Sequence, residues 1–421
     1  MNLKNSIAVM SLLMIPSVAL ADNLLVPSEY GSIQSGINAA VSGDTVSVEP
    51  GIYYETIDFL GKDVTVSSVS SASDTYIDGN VSSGSVVMFI SGETSDSILD
   101  GFTIRNGSAG KGGGVLVENS APTIRDCIVS GNESTNNGGG IYVDSGEIIL
   151  DNVKINNNSA ASSGAGLYLK FSNCSMAGGS IENNSGGNGG ALYVKDSPSS
   201  GDFILDSVSI AGNSAQNNGG GVYAKNSFLE VQDCHFDLNA SNRGGAWFSY
   251  LDGDARIEDT KFSNNSAKDV GGAVDLRNLS SITFVNCEFN GNTADSDCDG
   301  TGDGAILDLV NSSATLQSPT VCDNLVCGLD GDYSGDSSPT IIGDVLECAT
   351  GIGACCGGSA CWEMDEETCL DGGGLWNGDA TLCATVTCEG SSSGCAADIN
   401  GDSLVDVLDI IELISAWGAC P

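Results

Sequence analysis

Positive charge is scarce in this chain. Fourteen Lys and Arg face 55 Asp and Glu, for a net charge of −41. Such a surface repels phosphate backbones and anionic lipid, which excludes nucleic acid as a partner. It also disfavours acidic substrates such as pectin unless divalent cations bridge the two. Histidine is scarcer still: His235 stands alone, so no obvious triad can be built around it. Long apolar runs are missing too. Beyond the first 21 residues no stretch approaches the ~18 apolar residues of a membrane helix, and no span is expected. The central part also lacks runs of ten or so residues with helical periodicity, which argues against a helical solenoid.

What is present begins with Lys4, an apolar run from Ile7 to Val18 and Ala19-Leu20-Ala21. That pattern predicts a secretory signal peptide over 1–21 and a secreted or cell-surface protein. A repeat follows. An apolar anchor with Asn three residues later recurs as Val129/Asn132, Ile155/Asn158, Ile181/Asn184, Ile210/Asn213, Phe236/Asn239, Phe262/Asn265 and Phe289/Asn292. A glycine pair, then Gly or Ala, then an apolar residue keeps the same beat from Gly112 to Gly271. A fixed period of about 26 residues made of short β-branched and aromatic runs broken by Gly, Asn and Ser reads as a β solenoid. The fold class expected is all-β: a right-handed parallel β-helix of three short strands and three turns per coil, each strand lying on its counterpart one coil away.

The columns of this repeat make specific demands. Two residues before the anchors stand Cys127, Val153, Gly179, Val208, Cys234, Thr260 and Cys287, which should point inward with them. The three cysteines are read as buried core residues, because nearest members lie two coils apart, too far for a disulfide. The Asn column is read as a buried ladder at a turn, with Asn in left-handed backbone. Asp126, Asp233 and Asp259 recur three before the anchors and are read as turn residues rather than catalytic pairs. One position after the apolar residue of the glycine motif come Tyr142, Tyr168, Tyr193, Tyr223 and Phe248. Alternation turns these rings away from the core, where they either stack on one another or offer a stripe for a ligand such as a sugar.

The glycine motif paired with Phe-x-x-Asn resembles the repeats of chlamydial polymorphic outer-membrane proteins. The stretch from Val26 to Glu55, and Asp100-Gly-Phe-Thr-Ile-Arg-Asn-Gly107, are similar to the opening of pectin-lyase-like β-helices. That resemblance implies a short amphipathic capping helix through Ile33, Ile37 and Ala40, then a first strand over 43–48. Enzymes of this fold use clustered carboxylates, a calcium cage or a basic residue on one sheet. The polygalacturonase signatures are absent as a set.

The tail divides further. The expected organisation is β-helix over 22–327, linker 328–352, Cys-rich mini-domain 353–390, linker 391–394 and a calcium module 395–421. Twelve cysteines from Cys298 to Cys420 imply a disulfide framework in an exported chain. In the last module Asp398, Asn400, Asp402, Asp406 and Asp409 place oxygens at loop positions 1, 3, 5, 9 and 12, with the Leu404 carbonyl at position 7. A hard cation such as Ca2+ needs six to eight such oxygens. This segment resembles one dockerin repeat, which implies docking to a cohesin-like protein; a single copy and Ser403 at position 6 depart from the pattern. Cys395 and Cys420 flank it and are expected to close it. A second acidic loop, Asp295, Asp297, Asp299 and Asp303, resembles thrombospondin type 3 calcium loops, although Ile306 stands at its last position. The function expected is binding or adhesion to extracellular glycans or surface partners, with no catalytic residues assigned. A polysaccharide hydrolase or lyase is the alternative.

Overall fold

The computed structural model describes residues 21–80, 83–197, 203–298, 302–326, 329–343 and 345–347, and the backbone of Gly353–Gly357, Ala360–Met364 and Leu375–Asp379. Two compact units divide it, residues 1–198 and 199–421. Both are built from parallel β coils.

In the first unit a typical coil has four segments, one more than the repeat suggested. One coil runs through Val115–Glu118, Thr123–Arg125, Ile128–Ser130 and Glu133–Asn137. The next runs through Ile141–Asp144, Glu147–Asp151, Lys154–Asn156 and Ser159–Ala160. Each segment pairs in parallel with its counterpart: Val115 on Ile141, Ile124 on Leu150, Val129 on Ile155, Glu133 on Ser159. Alternate residues are buried, so Val115, Val117, Ile124 and Val129 fill the interior of one rung. The turn that closes these coils is crowded by backbone: a Cβ on Gly113 would lie 2.4 Å from the Glu133 carbonyl oxygen, and one on Gly139 2.3 Å from that of Ser159. This is the physical content of the glycine motif.

The capping helix is Ile33–Ala39, with Ile33 and Ile37 fully buried. Ser32 and Ser35 close its capping box, and the Glu55 carboxylate accepts from the Ile33 and Gln34 amides at 2.9 Å each. At the other end the Lys62 ammonium donates to the carbonyls of Ile37, Asn38 and Ala40 at 2.7, 2.9 and 2.8 Å. The expected strand is present as Thr45–Val48. A strand at Asn23–Val26 precedes the helix and pairs with it, which the sequence reading had not included.

The second unit repeats the plan with longer strands. Val222–Gln232 and Trp247–Glu258 each run through the first two segments of a coil. Phe236, Phe262 and Phe289 lie in direct register, with ring centroids 4.9 and 5.0 Å apart and planes within 9°. Cys127, Cys234 and Cys287 are buried free thiols, as read, and so is Cys174. Cys298 and Cys322 are each disulfide-bonded. The closing pair, Leu325–Val326 with Leu329–Asp330, is antiparallel.

The Asn ladder is continuous within each unit. Asn158 Oδ1 accepts from the Asn132 amide and side chain at 3.0 Å each, and Asn184 repeats the pattern beneath it. In the second unit the ladder passes from Asn213 through Asn239, Asn265 and Asn292 to Asn324. One detail differs from the sequence reading. The left-handed residue is not the ladder Asn but the one before it, as at Asn157 (φ 55°), Asn183 (φ 54°), Leu238 (φ 55°) and Asn264 (φ 53°). The preceding residue makes the bend, and this aims the next side chain inward along the stack.

Candidate functional site

The aromatic column sits where alternation places it, on the far side of the strand from the core. Three of its five rings are nevertheless covered, and Tyr193 and Tyr223 are half-buried. Tyr142 is 2% and Tyr168 7% exposed. The first glycine of the motif folds back onto the ring's own Cβ: a Cβ on Gly138 would lie 2.7 Å from that of Tyr142, and one on Gly164 the same distance from that of Tyr168. Both glycines are left-handed (φ 65° and 60°). Tyr142, Tyr168 and Tyr193 stack with centroids 5.0 and 5.1 Å apart and planes within 5°, so neighbouring rings occupy one another's faces. Burial pushes the Tyr168 and Tyr193 phenols up to about 12. In the second unit Tyr223 and Phe248 continue the theme with centroids 5.0 Å apart and Phe248 5% exposed. A sugar stacks on a ring face. The stripe that the sequence offered as a ligand platform is thus a stacked brace, buried at Tyr142, Tyr168 and Phe248 and half-buried at Tyr193 and Tyr223.

Below Phe248 the column changes character. Asp275 and then Asp308 take the ring positions in register. Arg277 on the same strand grips both: its Nε lies 2.6 Å from Asp275 Oδ1, and its Nη2 pairs with Asp308 Oδ2. The Ser334 hydroxyl donates to Asp308 Oδ1 at 2.7 Å. Asp275 is fully buried, its Oδ2 has no hydrogen-bond partner among the described residues, and burial pushes its carboxyl up to about 7 against the pull of Arg277. Sequence reasoning passed over this cluster. Its signal was the break in the aromatic column together with an arginine two residues on.

The remaining predicted residues are dispersed. His235 is exposed, and its Nε2 shares a 3.2 Å hydrogen bond with the Ser263 hydroxyl. Asp126, Asp233 and Asp259 are left-handed corner residues (φ 49°, 51° and 47°), in keeping with turn chemistry. In the second acidic loop Asp295 is buried and left-handed, Asp303 Oδ1 accepts from the Gly304 amide at 2.8 Å, and Asp299 lies outside the described residues. No three His, Cys, Asp or Glu gather in a metal-holding group among the described residues. Asp398, Asn400, Asp402, Leu404, Asp406, Asp409, Cys395 and Cys420 also lie outside them.

A concave surface lies at a corner of the first unit. Elsewhere around it the second and third segments of a coil are joined by two residues: Gly101 and Phe102, Asp126 and Cys127, Asn152 and Val153. Between Thr65–Ser68 and Thr75–Asp78 the joint is instead residues 69–74, Val-Ser-Ser-Ala-Ser-Asp. This longer loop stands up as a wall. Its ends are tied by Ser68 Oγ to Thr75 Oγ1 at 2.6 Å, and its middle by the Thr103 hydroxyl donating to the Ala72 carbonyl at 2.5 Å. Asp74 accepts from Ser70 and Ser71, and the Tyr76 hydroxyl donates to the Ser73 carbonyl.

Behind the wall lies a cleft of about 490 Å³. Ser68, Ser70, Ser71 and Ser73 line one side; Asp100, Asp126, Asn152 and Lys154 line the other. Asp100 Oδ2 accepts from Arg125 Nε and Nη2 at 2.9 Å each. Asp126 Oδ1 accepts from the Asn152 side-chain Nδ2 at 2.7 Å. Lys154 is exposed and makes no ion pair among the described residues. Hydroxyls both donate and accept, carboxylates accept and the ammonium donates. The lining can therefore match a ligand rich in hydroxyl groups.

Coils of parallel strands stacked in register around an apolar interior define this chain as a right-handed parallel β solenoid. It belongs to the right handed beta helix region family, whose profile matches residues 93–316. No curated protein matches the chain.

Proposed function

We propose that this is a secreted or cell-surface binding protein that seats a glycan, free or on a surface partner, in the corner cleft of the first unit and does not cleave it. The observation that carries the reading is the cleft itself: a Ser-rich wall facing two carboxylates, an amide and an unpaired ammonium. Neutral sugars suit it better than polyanions, given the net charge of −41. A glycan-cleaving enzyme is the second reading, favoured by Asp100 and Asp126 sharing one cleft. Against it, Arg125 and Asn152 already engage these carboxylates as acceptors. A glycan array combined with a reducing-sugar assay separates the two. Retention of particular neutral glycans without new reducing ends is expected; release of sugar ends by the purified chain would overturn the proposal.

The same reading has the chain attached or assembled through calcium held by Asp398, Asn400, Asp402, Leu404, Asp406 and Asp409, and the spacing of these oxygens along the loop supports it. Calorimetric titration of the full chain should show saturable calcium uptake that Asp398→Ala reduces. Equal uptake by chain and variant, or none by either, removes this loop as the attachment point.

A further inference from the structure

The second unit carries three leucines where the backbone and the solvent both disfavour them, Leu238, Leu251 and Leu279, and the last two share one column of corners. Leu251 (φ 51°) and Leu279 (φ 71°) occupy left-handed corner positions and are 40% and 63% exposed. Each has a left-handed neighbour, Asp252 (φ 55°) and Asn278 (φ 55°), and the two corners lie on adjacent coils, joined by the Asp252 amide donating to the Asn278 carbonyl at 3.4 Å. Other coils of this unit make the same corner with Asn226 or Asn311. Asn accepts left-handed backbone and water; leucine gains from neither. Strain and exposed apolar surface at one spot point to a role outside the fold.

The surroundings indicate the partner. Beside Leu279 lies a shallow cleft of about 310 Å³, lined also by Ser280, Asn311, Ser312, Ser313 and Ser337. Asp252, next to Leu251, is exposed; so is Asp336, which accepts from the Asn311 amide at 2.8 Å, and half-buried Asp254 accepts from the Ser281 amide at 2.7 Å. The nearby cations are engaged: Arg277 by Asp275 and Asp308, Arg256 by Glu258, and Lys225 over the Tyr250 ring. The rim is left acidic. We infer that the Leu251–Leu279 corner is a docking ridge for a basic, apolar segment of a partner protein, which sets an apolar side chain beside Leu279 and its Lys or Arg against Asp252 and Asp336. A second copy of this chain would bring the same negative charge and suits the ridge poorly.

The test uses the full chain and a labelled amphipathic Leu/Lys peptide, followed by fluorescence anisotropy. Wild type should bind at low salt. The double variant Leu251→Asn, Leu279→Asn should bind at least about tenfold more weakly, yet melt no lower than wild type, because asparagine relieves the left-handed strain. Equal binding by wild type and variant would assign the peptide to diffuse charge and overturn the inference, as would no binding by wild type. Self-association of wild type that the variant loses, read by sedimentation, would also overturn it in favour of a second copy.

Discussion

Asp275 shows how one residue alters the meaning of a column. It follows Tyr223 and Phe248 in register, where a further ring would continue the stack. It is instead a fully buried carboxyl held by Arg277 beside Asp308. Its pKa is raised from 3.8 to about 7, first by burial, so the folded state holds a proton that the unfolded chain releases. The linked stability is complete below about pH 4 and is lost as pH climbs through about 7. Asp275→Asn keeps an acceptor for Arg277 and cannot titrate. Thermal melts of both proteins from pH 4 to 8 should show the variant gaining on wild type as pH rises; parallel curves would mean that Asp275 does not titrate in this window. The same scale shows what letters conceal. The ladder asparagines were legible as buried, but the left-handed turn falls one residue earlier, at Asn157 or Leu238. A lone period cannot tell which of two adjacent polar residues bends the chain.

Among the elements, what repeats was legible and what interrupts the repeat was not. The register of Phe236 on Phe262, the inward Cys127 and Cys234, and the capping helix through Ile33 and Ile37 follow from spacing and alternation. The fourth segment of each coil escaped because Glu133–Asn137 and Ser159–Ala160 are polar and short and read as turn. Alternation also placed Tyr142 on the correct side of its strand while giving no sign that Gly138 would fold over it. Side-of-sheet is a local property; coverage is a tertiary one. Loop 69–74 precedes the first glycine motif at Gly112, so no periodic copy existed against which its extra length could be noticed. The best candidate site therefore sits where the repeat is least regular. That is expected of function carried on a scaffold whose interior is committed to stacking.

Across the whole molecule, the coils supply regular interiors and the corners supply individuality. The net charge of −41 narrows the partners to neutral or basic ones, and the two proposed surfaces accord with that: a hydroxyl-rich cleft in the first unit and an acidic-rimmed leucine ridge in the second. Both are corners whose length or residue type departs from the norm of their own column. The central claim is that the raised loop makes the glycan seat. Its most direct test replaces residues 69–74 with a two-residue Asp-Cys corner of the kind found at Asp126 and Cys127, and titrates the glycan selected on the array into wild type and variant. The variant should keep its β circular-dichroism spectrum and lose binding at least about tenfold. A variant that folds and binds the glycan as tightly as wild type would contradict the account.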